Sequence, residues 1–81
     1  MSFTVRFRIA APDDVDMKSF HLVPNALHML RVVRAHSDLG LFYAKKALFA
    51  GFLTFETQEE AEVFLAELQP FVAEISLEIS P

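Results

Sequence analysis

From Phe3 to Ile9 apolar and polar side chains alternate, with Phe3, Val5, Phe7 and Ile9 on one side and Thr4, Arg6 and Arg8 on the other. A period of two marks a half-buried strand, because successive side chains point to opposite faces of a sheet. The spacing therefore predicts a first strand with one apolar and one basic face. Ile75, Leu77 and Ile79 alternate with Glu74, Ser76 and Glu78 in the same way, which predicts a last strand with an acidic outer face. If the two strands pair, the acids face Arg6 and Arg8. The short β-prone stretch 52–56, following Gly51, reads as a strand between them in the chain.

Elsewhere the period lengthens to that of a helix. Asn25 is placed to cap a helix reaching about His36, in which Leu27, Leu30 and Val33 or Arg34 recur at helical spacing. Ser37, Asp38 and Gly40 break the pattern. Leu41, Ala44, Ala47 and Leu48 then form the inward stripe of a second helix that ends near Gly51, so the two helices make a hairpin. Thr57 and Glu60 have the spacing of a capping box, and the carboxylates of Glu59 and Glu60 favour a helix N-terminus electrostatically. Ala61, Phe64, Leu65 and Leu68 line the buried side of this third helix, Glu62 and Glu67 face water, and Pro70 stops it. Residues 10–24 read as a long connection. It holds Pro12, an acidic cluster of Asp13, Asp14 and Asp16, the apolar anchors Phe20 and Leu22, and Pro24 at its end. The whole is an α+β fold of order β-α-α-β-α-β, a three-stranded antiparallel sheet with three helices on one face, in a single domain over residues 1–81.

Composition narrows what such a domain does. The 81 residues are 53% hydrophobic and 22% charged, with nine Phe, so the chain is expected to fold. A domain this short leaves apolar surface uncovered, which favours a partner or a second copy. A net charge of −4 argues against direct nucleic-acid binding, which needs a clustered excess of Lys and Arg. The absence of cysteine removes disulfides, thiolate metal sites and redox motifs. With neither a signal-peptide core nor an apolar run of about 18 residues, a cytoplasmic protein without membrane association is the expectation.

Nothing in the sequence assembles a catalytic site. There is no nucleophile with a base and an orienting acid, and two glycines make no phosphate-binding loop, so neither an enzyme nor a cofactor is expected. His21, His28 and His36 lack the spacing of metal ligands, and His28 and His36 read as surface helix residues. The aspartates of the connection do not follow a calcium loop, and turn formation accounts for them. Arg31, Arg34, Lys45 and Lys46 form either a patch across the hairpin or ordinary solvated charges. Phe42, Lys45, Lys46 and Phe49 share a face of the second helix, whose inward stripe is already supplied. Phe42 and Phe49 are thus either exposed interface residues or core residues beneath the connection, with Phe20 or Leu22 covering them.

The element order, and the ungapped segment holding Asn25, Leu27, Leu30, Arg31, Arg34, Leu39, Gly40, Leu41, Ala44 and Lys45, resemble the C-terminal domain of the bacterial ribosomal stalk protein. The stretch from Thr57 and the final strand are similar to the family's third helix and last strand. The likeness covers most of residues 25–79. It implies a mobile docking arm that binds translation factors through its first two helices, with apolar residues ringed by Lys and Arg. Carried over, the docking residues are Leu27, Leu30, Arg31, Arg34, Gly40, Leu41 and Lys45, to which the aromatic face adds Phe42 and Phe49. Ala26 stands where the family has a basic residue, and Tyr43 where it has an acidic one. The 81 residues hold no counterpart of the family's dimerisation module and hinge, so an ordinary stalk protein is not expected. The same topology occurs in the adaptor of Clp proteases, a likeness of architecture alone. The expected partner is a protein, a translation GTPase or a host factor if the gene belongs to a mobile element. The alternatives are a structural homodimer built on the aromatic helix face, or an adaptor that binds substrates in an acid-lined pocket.

Overall fold

A computed structural model describes residues 1–11 and 14–81. The expected turn chemistry of Pro12 and Asp13 lies outside the described residues. The alternation at the start of the chain becomes β1 (Ser2–Arg8), which is the central strand of the sheet. The first helix, α1, is Ala26–Ala35, and α2 is Leu41–Ala50. They are followed by β2 (Phe52–Phe55), α3 (Gln58–Leu68) and β3 (Glu74–Ser80). The sheet order is β2-β1-β3 and both pairings are antiparallel, as the β-α-α-β-α-β reading requires. Two short 3-10 turns, Phe20–Leu22 and Phe71 with its two predecessors, were not foreseen.

The two faces of β1 do different work. Phe3, Val5 and Phe7 point into the core, where α3 packs across the strand. On the outer face Arg6 pairs with Glu78 and Arg8 with Glu74, the latter at 3.2 Å, so the acids of the last strand do meet the bases of the first. Both pairs are exposed, and such pairs contribute about 0–1 kcal/mol each. Burial holds the sheet instead, each large apolar side chain contributing about 1.5–3 kcal/mol when removed from water.

Phe64 sits at the centre of that core. Its ring lies 5.1 Å from Phe55 and 6.2 Å, edge to face, from Phe7, joining α3 to β2 and β1. His36 at the end of α1 also meets the Phe64 ring, at 5.7 Å, and hydrogen-bonds the carboxylate of Glu67. The expectation that His36 is a surface residue is therefore corrected: it is partly buried and ties α1 to α3. Thr57 accepts a hydrogen bond from the Glu60 backbone N–H at 3.2 Å, the forward half of the capping box. Leu65 is only half-buried on this helix, whereas Ala61, Phe64 and Leu68 are fully inside.

Gly51 ends α2 in the left-handed region at φ 83°, and its N–H closes the helix on the Ala47 carbonyl at 2.9 Å. Its own carbonyl accepts the Phe7 N–H at 2.8 Å, so the turn from helix to strand is pressed against β1. A Cβ there would stand 2.7 Å from the Phe7 carbonyl oxygen, which leaves glycine as the residue that fits. Asn25 occupies the start of α1 but does not cap it through its side chain. It adopts φ 62° instead, a left-handed conformation that Asn tolerates better than most residues, and turns the connection into the helix.

Candidate functional site

The helical hairpin leaves two outward stripes facing each other. On α1 the buried positions are Ala26, Met29, Leu30 and Val33, which leaves Leu27, Arg31 and Arg34 in line along the exposed side. On α2 Ala44 and Leu48 face inward, and Leu41 and Lys45 follow each other one turn apart beside the groove. Leu41 was expected within the inward stripe and is instead half-exposed. Leu48 and Ala44 already fill the space against α1 and β2, and the first turn of α2 lies beyond the edge of the core.

Between the stripes runs an apolar groove of about 600 Å³. Leu27, Leu30 and Leu41 line it, Lys45 stands on one side, and Phe20 and Val23 wall it from the connection. A second depression shares the three leucines and continues toward Arg31 and Arg34 and the turn at Asp38. Six of the nine residues expected to dock a partner, Leu27, Leu30, Arg31, Arg34, Leu41 and Lys45, thus border one continuous surface. Leu30 differs from the rest, being 6% exposed: it forms the floor as a core residue and offers little area to a partner.

The turn is held locally. Ser37 donates its hydroxyl to the Val33 carbonyl at 2.6 Å, and Gly40 precedes α2 in extended backbone, its carbonyl accepting from Ala44. Among the described residues no side chain caps α2, so its first N–H groups add partial positive charge beside Leu41. A Cβ on Gly40 would meet nothing within 4 Å, and neither conformation nor packing demands glycine there. Among the described residues Arg31, Arg34 and Lys45 have no ion-pair partner, while the carboxylates of α3 and β3 lie on other elements. The chain is acidic overall, yet this surface is basic.

The aromatic pair divides. Phe42 is exposed, with the Lys46 ammonium 5.4 Å from its ring centroid and 5.8 Å from that of Tyr43. Phe49 is half-buried under the connection, 5.7 Å edge to face from Phe20. Phe20 itself is buried, with the Lys45 ammonium 5.9 Å from its ring. The single face shared by Phe42 and Phe49 therefore splits. The connection folds back over the C-terminal half of α2 and covers Phe49, and Val23 replaces Leu22 as its second anchor because Leu22 turns out to solvent. Lys46 likewise leaves the groove for the aromatic side. His21 and His28 also line the groove, and no pattern in the sequence pointed to them; His28 stacks on Phe71 with centroids 5.1 Å apart.

Asp16 organises the connection just before this wall. Its carboxylate accepts the backbone N–H groups of Lys18 and Ser19 and the Ser19 hydroxyl. The backbone bond from Ser19, then that from its hydroxyl, hold the Asp16 carboxyl below the usual aspartate range. No family model matches the chain, and no curated protein or solved structure does.

Proposed function

We propose that this is a non-catalytic docking domain whose α1–α2 hairpin receives an acidic, amphipathic segment of a partner protein. One observation carries the proposal: Leu27 and Leu41 stand exposed over an apolar surface that Arg31, Arg34 and Lys45 border, with Asp38 at the turn as the one carboxylate lining it and no ion pair among the described residues to neutralise the three bases. Apolar side chains of the partner enter the groove and its carboxylates meet the bases. Charge of this kind speeds encounter and fixes orientation more than it supplies affinity. The resemblance to the stalk domain makes a translation GTPase the first class of partner to test. The protease-adaptor alternative needs an acid-lined pocket, whereas His21, His28 and Lys45 are the polar side chains of the groove apart from Asn25.

The test is retention of proteins from bacterial lysate, followed by titration of the retained protein in rising salt. The bait is compared with an Arg31→Glu, Arg34→Glu double variant and with Glu62→Lys on α3. The double variant is expected to bind at least about tenfold more weakly and with a flatter salt dependence, and Glu62→Lys to bind as the parent does. Equal binding by the double variant refutes the proposal.

A second reading rests on a different observation, the exposed Phe42 and Tyr43 rings under Lys46. Rings beside a cation suit the centre of a self-association face. Phe42→Glu tests it by light scattering, since Phe42 leaves the core untouched; Phe49→Glu does not, because Phe49 packs on Phe20.

A further inference from the structure

We propose that β3 pairs antiparallel with β3 of a second copy, joining two three-stranded sheets into one of six strands. β1 is central, so β3 is an edge strand of seven residues that pairs only with β1 among the described residues. Along its free side run backbone N–H and C=O groups without a strand partner, a template for another strand. Proteins usually guard such an edge with charge. Here the two charged side chains, Glu74 and Glu78, are drawn back across the sheet to Arg8 and Arg6. The other edge, β2, is only four residues long.

The sequence of β3 identifies the occupant. Two antiparallel copies related by a two-fold axis through Leu77, the middle residue, pair over their whole length. In that register Ser76 faces the partner's Glu78, Glu74 faces the partner's Ser80, and Ile75 faces the partner's Ile79. No like charges stand opposite each other. Moving the axis to Ser76 sets Glu74 against the partner's Glu78, and moving it to Glu78 sets that residue against its own copy; both are destabilising. An axis between residues turns the apolar face of one strand to the polar face of the other. Ile79 is 53% exposed at the end of the sheet, and the Leu77 register gives it an apolar neighbour. The two-fold is normal to the sheet, so both helical layers lie on the same side.

Ser76 provides the test because its substitution separates dimer from fold. It is exposed and sits opposite Arg6 within the chain, so Ser76→Glu adds a favourable neighbour to the monomer while placing a carboxylate against the partner's Glu78 at both symmetric contacts. Ser76→Lys does the reverse. Sedimentation from micromolar to near-millimolar concentration is expected to show a dimer for the parent, about tenfold weaker association for Ser76→Glu, and association at least as strong as the parent's for Ser76→Lys. Melting temperatures, read in the dilute monomer, verify that both variants are folded. Slowed amide exchange in β3 at high concentration is expected in the parent alone of the parent and Ser76→Glu pair. A parent that stays monomeric overturns the proposal, as does a dimer indifferent to both Ser76 variants or one dissociated by Phe42→Glu instead.

Discussion

Single residues in this protein matter through backbone geometry as much as through side chains. The two glycines make the contrast. At Gly51 a methyl group meets the Phe7 carbonyl at 2.7 Å on backbone of positive φ, so Gly51→Ala is expected to cost at least about 1–3 kcal/mol in a urea denaturation series. At Gly40 there is open space and ordinary backbone, and Gly40→Asp is expected to cap α2 and raise stability by a few tenths to about 1 kcal/mol in the same series. The same change puts an acid into the basic rim and is expected to weaken partner binding. Asp16 adds a pH dependence. Its folded-state carboxyl titrates below the unfolded value, so its contribution is complete above about pH 4 and is lost as the pH falls through the depressed value. A carbon-detected titration of Asp16, with loss of the Ser19 amide shift in step, checks this; an ordinary aspartate midpoint contradicts it. Gly51 as a helix stop was legible from its place after the apolar stripe. The need for glycine against β1 was not, because Phe7 is distant in sequence.

At the scale of elements, local pattern in the sequence locates the three strands and three α-helices but not the two 3-10 turns, and the other differences lie where one element meets another. The inward stripe of α2 begins at Ala44, one turn after Leu41, and the helical face shared by Phe42 and Phe49 is covered at Phe49 alone. Both follow from where the neighbouring elements stop: β2 and α1 cover the middle of α2, and the connection covers only its far end. The connection is accordingly a structural element without regular secondary structure over most of its length. Phe20 is 2% exposed and Leu22 64%. Phe20→Ala is expected to cost about 3–5 kcal/mol and to open the groove wall, while Leu22→Ala stays within about 0.5 kcal/mol. Chemical denaturation of the two variants measures the difference, and equal effects refute the placement of the connection.

For the molecule as a whole, the decisive contact joins its two ends: β1 pairs with β3 from Ser2 with Ser80 to Arg8 with Glu74. A chain ending at Ala73 leaves Phe3 and Val5 with one sheet neighbour, Phe7 with only its backbone bond to Gly51, and an open core edge. It is expected to lose its cooperative thermal transition in far-ultraviolet circular dichroism; a sharp transition near the parent's temperature counters that. Charge is also arranged at this scale. An acidic chain carries a basic hairpin because most of its carboxylates lie on α3, on β3 and in the connection, where Arg6, Arg8, His36 and the turn at Asp16 engage some of them, and Asp38 is the one acid in the hairpin turn. The sequence by itself determined the elements, their order, the pairing of acidic with basic strand faces, and the basic stripe of α1, because each depends on spacing within a few residues or on complementary patterns. Only the tertiary structure decided that Leu30 is floor and Leu27 is rim, that Phe20 covers Phe49 but not Phe42, and that β3 is left as an open edge. Those outcomes depend on which surfaces the rest of the chain occupies, and occupancy is a property of the packed molecule that no local pattern encodes.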